Sequence, residues 1–267
     1  MMGQTSNRTI CAGTNTSFSI TATSTGPLSY RWQVNPGSGF VDLANGGVYN
    51  GGSSNTLTIT GVTYSMNGYV YRSLVRSGTC GYITTGATAT LTINSTPSIT
   101  VRPVSLTICL GAPVTFSVTV SPTVTPAATY QWRKGVVNIF GAIGSTYTIS
   151  SIAAGDAGSY DVVLTNICGV VTSDQATVTI NQLPTCSITD GFDAVRAGST
   201  TTWNATAGML SYSWTGPGGF IATTQSITFG VAGSYTVTIT DVNGCQSTCS
   251  RTLTVNPLPT TSPIYHL

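Results

Sequence analysis

The sequence predicts an all-β protein built as a tandem array of three β-sandwich domains, and three observations lead there. The dyad Tyr-x-Trp occurs at Tyr30/Trp32, Tyr130/Trp132 and Tyr212/Trp214. Each is preceded by a short turn ending in glycine: Cys11-Ala12-Gly13, Cys109-Leu110-Gly111 and Arg196-Ala197-Gly198. Each repeat closes on a strand in which Thr alternates with aliphatic residues, Ala89 to Ile93, Ala176 to Ile180 and Thr252 to Val255. One supersecondary plan copied with drift marks a repeat architecture, and alternation with a period of two marks half-buried strands. The repeats place domains at residues 1–96, 97–184 and 185–256, followed by a Pro-rich linker or tail at 257–267.

Repeat 2 shows the strands in order. Leu106 to Ile108 is a short first strand, and Val114 to Val120 a second with Val114, Phe116, Val118 and Val120 on one face. Tyr130 to Arg133 is a third and Thr146 to Ile149 a fourth. Asp156-Ala157-Gly158-Ser159-Tyr160 leads into a strand from Asp161 to Thr165, which a tight turn at Asn166 to Gly169 joins to the closing strand. Each Tyr-x-Trp puts both rings on one face, so Trp32, Trp132 and Trp214 are expected in the cores with Tyr160 and Tyr235, and Trp203 is expected there too.

Composition narrows the function. Only 6% of residues are charged, Lys134 is the sole lysine, glutamate is absent, and a net charge of +2 is spread over eight arginines and that lysine. No basic patch is available to neutralise phosphates, so no nucleic-acid partner is expected. Strong helix formers are scarce, while 40% hydrophobic residues argue against disorder. No apolar run approaches the length of a membrane span, and Met1-Met2-Gly3-Gln4-Thr5 lacks the apolar stretch of an export signal. Domains of about 70 to 100 residues bury modest cores, so staples are expected.

The Asp-x-Gly-x-Tyr sequence before a strand, with a Trp on an earlier strand, resembles the tyrosine corner and core tryptophan of immunoglobulin-like sandwiches. Repeat 3 keeps Gly233-Ser234-Tyr235, and repeat 1 has the looser Asn67-Gly68-Tyr69-Val70-Tyr71. Where the immunoglobulin pattern has its second core cysteine, this chain has Val162, Val237 and, by alignment, Ser73. The chain also resembles the Ig-like and PKD-like repeats of large secreted Bacteroidota surface proteins, adhesins and gliding-type proteins exported by the type IX system. Tyr49-Asn50-Gly51-Gly52 through Thr56-Leu57-Thr58-Ile59, Met66-Asn67-Gly68-Tyr69, Asp241-Val242-Asn243-Gly244-Cys245 and Asn256-Pro257-Leu258-Pro259 carry that likeness. It implies an extracellular or cell-surface array and names no ligand.

Seven cysteines supply the staples. Zinc is not expected, because no C-x-x-C pair exists and the only histidine is His266. Cys11 and Cys109 sit in the turn after the first strand, where repeat 3 has Arg196; Cys80, Cys168 and Cys245 sit in the turn between the last two strands. In an Ig-type sandwich those turns lie at opposite ends, about 20 Å apart along a strand, whereas bonded cysteines need Cα atoms within roughly 7 Å. Pairing across domain junctions meets that limit: Cys11 with Cys168, Cys109 with Cys245, Cys186 with Cys249, and Cys80 left over. The competing scheme stays inside each repeat, with Cys11 to Cys80, Cys109 to Cys168, and Cys186 to Cys245 or Cys249. Either implies an oxidising compartment.

No catalytic residues and no cofactor are expected. The seven aspartates fall mostly in turns, such as Asp156 and Asp241, where short side chains bond the backbone. Asp190-Gly191-Phe192-Asp193 offers two carboxylates that could hold calcium. The expected function is a non-enzymatic structural or adhesive array, possible as a filament subunit, that self-associates with neighbouring copies or adjoins further domains of a longer chain. A terminal strand or the tail from Pro257 to Leu267 is the expected point of contact. The alternative is a carbohydrate-binding accessory module of a secreted enzyme. Surface glycans would then stack on exposed aromatics such as Tyr49, Tyr64, Tyr82 or Tyr147.

Overall fold

Strands succeed one another along a computed structural model that describes residues 6–259. The fold is an all-β tandem array of three immunoglobulin-like β-sandwiches. Among the described residues the helical turns are three short 3-10 segments, Tyr64–Met66, Ala154–Asp156 and Pro217–Gly219. By packing, the chain forms two compact units. One takes the chain up to Val104 with Phe116–Tyr147 and Ser159–Ala176; the other takes Ser105–Thr115, Thr148–Gly158 and the chain from Thr177. The middle repeat is thus shared between them. Of the expected tail, residues 260–267 lie outside the described residues.

In the first unit, one sheet orders Arg8–Cys11, Ala89–Asn94, Val70–Ser77, Leu28–Asn35 and Val41–Asp42, and the facing sheet orders Thr16–Ser19, Thr56–Ile59 and Tyr49–Asn50. Between them Phe18, Trp32, Leu57, Ile59, Tyr71, Leu91 and Ile93 are fully buried. In the second unit the third repeat repeats the plan. Ala194–Arg196, Gln246–Asn256, Gly233–Thr240, Ser211–Gly216 and Phe220–Ala222 form one sheet, and Ile188–Thr189, Thr201–Ala205 and Ser226–Phe229 the other. Trp203, Trp214, Tyr235, Val237 and Ile239 form its centre.

The tryptophans of the three Tyr-x-Trp dyads are held alike. The indole N–H of Trp32, Trp132 and Trp214 donates to the carbonyl of Ser54, Gly144 and Thr224, each at 2.9 Å. Burying an aromatic ring removes a large apolar area from water, and its one polar atom must be paired. Cross-strand registers place Ser73, Val162 and Val237 directly opposite these tryptophans, as the alignment to the immunoglobulin pattern expects. Tyr71 of the first repeat and Tyr235 of the third lie two residues before. Tyr235 donates to Val231 O at 3.0 Å, closing a tyrosine corner, whereas Tyr71 meets the Tyr49 hydroxyl at 3.3 Å.

One feature corrects the strand reading and a second adds to it. The expected strand from Val114 to Val120 is two, Val114–Ser117 and Thr119–Val120. Val118 still donates to Ser145 O, and beyond it Thr119–Val120 pairs with Ile99–Val101 of the segment joining repeats. The buried alternation survives, since Val114, Phe116 and Val118 stay inside. Secondly, the first strand of every repeat runs parallel to the last: Arg8–Cys11 with Ala89–Asn94, Leu106–Cys109 with Ala176–Asn181, and Ala194–Arg196 with Gln246–Asn256.

Ser73 is 1% exposed and its hydroxyl has no hydrogen-bond partner. A buried unmet hydroxyl costs about 1–3 kcal/mol, and Val occupies the equivalent site in both other repeats. Ser73→Val should therefore raise the first repeat's stability by about 1 kcal/mol in urea unfolding; an unchanged or lower midpoint refutes this account of the site. Burial, reinforced by the hydrogen bond to Tyr49, pushes the Tyr71 phenol well above its ordinary value, and burial likewise raises Tyr49 and Tyr235. These groups stay neutral in the fold while unfolded tyrosine ionises near pH ~10. Their contribution is complete below that pH and is lost as pH rises past it. In a Cys80→Ser background, the unfolding midpoint should fall between pH about 9 and 11, and less so in Tyr71→Phe.

Candidate functional site

The parallel register carries the turn cysteines to a fixed place. Cys11, Cys109 and Arg196 stand opposite Asn94, Asn181 and Asn256, the residues that end the last strands. The next amides, of Ala12, Leu110 and Ala197, donate to the carbonyls of those asparagines at 3.0, 2.9 and 2.9 Å. Gly13, Gly111 and Gly198 follow with φ of 82°, 84° and 86°, left-handed values that an L side chain adopts only with strain. The turn therefore sits where the chain departs for the next repeat.

At that place the structure joins Cys11 to Cys168 and Cys109 to Cys245, with Cα atoms 5.4 and 5.5 Å apart, while Cys186 bonds Cys249 inside the third repeat at 5.7 Å. Of the two pairing schemes, this is the one that crosses the repeat boundaries. Cys80 is free and exposed. The hairpins presenting Cys168 and Cys245 are built by their own polar side chains. Asn166 Oδ1 accepts from the Cys168 amide at 2.9 Å, and Asp241 Oδ1 from the amides of Asn243 and Cys245 at 2.9 and 2.8 Å. Asn166 Nδ2 also reaches back to Ser95 O at 2.8 Å, so one side chain shapes the hairpin and grips the joining segment.

The calcium candidates are otherwise engaged. Asp193 accepts from Arg251 Nε at 2.5 Å, Arg251 Nη1 donates to the carbonyl of Asp190 at 2.6 Å, and the Asp190 carboxylate takes the amide of Asn204 at 2.6 Å. A guanidinium, itself stacked 4.7 Å from the Trp203 ring centre, occupies the position a cation would take. No group of three or more metal-ligating side chains occurs among the described residues. The aromatic candidates are also placed: Tyr49 and Tyr147 are ring contacts of the buried Tyr71 and Phe116, and Tyr64 is 41% exposed on a 3-10 turn. Tyr82 lies half-buried with the guanidinium groups of Arg31 and Arg76 over its ring, at 4.6 and 4.8 Å from its centre, beside a groove lined also by Tyr30, Asp42 and Ser53. The Arg–Tyr–Arg stack was not foreseen from sequence, because its members lie on separate strands and in a hairpin turn.

The site thus defines a class: tandem Ig-like sandwiches with cysteine-bridged joints. A three-domain Ig segment of titin superposes over 95% of this chain and 96% of its own, with a TM-score of 0.55 and 15% identity. Sidekick-1 immunoglobulin domains 1–5 match over 97% of this chain and 59% of theirs, with 0.53 and 20%. The eight N-terminal Ig domains of Down syndrome cell adhesion molecule match over 95% and 35%, with 0.53 and 17%. At such identities these likenesses establish the fold alone. In sequence, the chain is 33% identical over 94 residues to Endoglucanase C of Cellulomonas fimi, which is 34% of this chain and 8% of that protein's length. No protein-family model matches. No described helix is long and apolar enough to cross a membrane.

If Arg251 fills the Asp190/Asp193 loop as its cation, millimolar calcium should leave the melting temperature unchanged. Arg251→Ala should lower stability by about 1 kcal/mol, the scale of a partly exposed charged hydrogen bond. A calcium-dependent rise in the wild-type chain would reverse the assignment.

Proposed function

We propose that this chain is a non-enzymatic extracellular array whose work is mechanical: a structural or adhesive run of Ig-like repeats stiffened by disulfides at its joints. The bond from Cys11 to Cys168, 157 residues apart in sequence, carries the reading. A disulfide within a repeat would stabilise that repeat alone, whereas one from the strand-end turn of the first to a hairpin of the next restrains the joint. Three disulfides favour an oxidising, extracellular setting, which agrees with the resemblance to secreted Bacteroidota surface proteins. Domains at 1–96, 97–184 and 185–256 follow from this reading, as does assembly with neighbouring copies through uncharged contacts, with the segment from Pro257 as one point of attachment.

The similarity to part of Endoglucanase C and the Arg31–Tyr82–Arg76 stack favour a second reading, a glycan-binding accessory module. The two readings part in one set of measurements. Replacing Cys11 and Cys168 by Ser should broaden the interdomain distances seen by small-angle scattering and open the 95–98 segment to protease, while each repeat stays folded. An unaltered scattering profile with no new cleavage sinks the braced-array reading. Retention on insoluble polysaccharide that is lost in Tyr82→Ala would establish the second in its place.

A further inference from the structure

In the middle and third repeats, a groove at one end of the sandwich holds the segment arriving from the repeat before. Around the middle one, the Ser95 amide donates to Thr125 O at 2.9 Å, Asn166 Nδ2 donates to Ser95 O, and Ile99–Val101 pairs with Thr119–Val120. In the third, Thr206 Oγ1 donates to Thr185 O at 2.9 Å, the Thr206 amide to Ser187 O, and Ile188–Thr189 pairs with Asn204 and Ala205. Both segments start at the asparagine ending the previous last strand and share a spacing, Asn94-Ser95-Thr96-Pro97 and Asn181-Gln182-Leu183-Pro184. Beside each groove a hairpin cysteine, Cys168 or Cys245, is bonded to the strand-end turn of the preceding repeat.

The first repeat has the same groove. A cavity of about 230 Å³ is lined by Ala22, Ser24, Leu28, Val75, Cys80 and Ile83, among others. Ala22 and Ser24 lie just past the strand Thr16–Ser19, as Val120 lies past Val114–Ser117. Cys80 stands in the hairpin between Val70–Ser77 and Ile83–Thr84, the place of Cys168 and Cys245, with its thiol unbonded and exposed. The groove is mostly apolar, and the cysteine at its rim is the third of a series whose other two members are both bonded.

We propose that this groove docks the C-terminal end of another repeat of the same kind. Its Asn-x-x-Pro segment lies in the groove, and a cysteine in its strand-end turn, at the position of Cys11 and Cys109, bonds to Cys80. The two thiols become one disulfide. Their two protons and two electrons pass to a disulfide oxidant such as oxidised glutathione, which leaves as two thiols. The chain's own end offers half of this match: Asn256-Pro257-Leu258-Pro259 repeats the segment, but Arg196 stands where the cysteine is needed. The inference rests on the reading of the chain as a repeat array. Its test reads bonds formed between copies, whereas the scattering test reads joints within one, so the two can fail separately.

A second copy carrying Arg196→Cys supplies both halves and is the probe. In a glutathione redox buffer, R196C should form a ladder of head-to-tail oligomers whose linked peptides join position 196 to Cys80. Docking raises the local thiol concentration, so the ladder should form at least about tenfold faster than crosslinks of a T215C control on an exposed strand. Adding A22R to fill the groove should abolish the ladder while Cys80 still reacts with a small thiol reagent. Equal rates for R196C and T215C, or only symmetric dimers linking like positions, overturn the proposal, as does a ladder that survives A22R.

Discussion

Everything at the joints depends on the parallel pairing of a short first strand with the last strand of its own repeat. Four paired residues rise only about 13 Å, and the register ends with Cys11 opposite Asn94 and Cys109 opposite Asn181. The chain leaves the repeat at those same asparagines. A residue in the turn is therefore held at the point of departure by a ladder belonging to the finished sandwich, and the left-handed glycine turns the chain back before it can run on. The cysteine reaches the next repeat's hairpin because the sheet puts it there.

The cores are what free the cysteines for this use. In antibody-type domains a disulfide joins the two sheets beside the core tryptophan. Here the facing strand carries Phe18, Phe116 and Trp203, and the partner strand carries Ser73, Val162 and Val237. Phe18 stacks on Tyr71 at 4.9 Å between ring centres, Phe116 on Tyr160 at 4.8 Å, and Trp203 meets Tyr235 edge-on at 5.8 Å. A buried ring of 150–250 Å² contributes about 4–6 kcal/mol at 25 cal/mol/Å², the scale of the 2–5 kcal/mol lost with a native disulfide. Aromatic packing thus does inside the first two sandwiches what a bond does elsewhere, and the third adds the internal Cys186–Cys249 disulfide to it. Ser73 is the one place where the exchange is incomplete, with a hydroxyl buried against Trp32.

Much of this was legible from residues alone, for a physical reason. Period-two alternation and the Tyr-x-Trp dyads report burial on one face, which is local, so strands, cores and the three-fold repeat follow directly. The cysteines alone allow two pairing schemes, and which end of a sandwich a turn occupies favours the one with the bonds Cys11–Cys168 and Cys109–Cys245. The parallel first strand was not legible, since parallel and antiparallel partners leave the same alternation. The break at Val118 was not, because Val120 continues the apolar pattern while its backbone pairs with a different segment. Asp190 and Asp193 read as cation ligands because sequence shows two carboxylates close together and hides Arg251, 58 residues past Asp193, which the last strand delivers to them.

The few charges are spent inside the chain. Arg133 and Asp161 sit directly opposite across two strands and bond through both oxygens at 2.7 and 2.8 Å, with Asp161 almost fully buried. That contact holds the arginine's proton more tightly. At the same cross-strand position the first repeat pairs Gln33 with Arg72 at 2.7 Å and stacks Arg72 on Phe40, and the third repeat has Thr215 opposite Thr236. The position thus passes from ion pair to polar pair to bare hydroxyls while the ladder beneath stays constant. Arg31 with Asp42, Arg102 with Asp174 and Arg251 with Asp193 are likewise paired, so four of the seven aspartates are matched by an arginine. Natural sheet edges commonly use unmatched lysine to prevent association, and this chain has one lysine in all. What remains is a surface of threonine, serine and glycine with few charges of either sign.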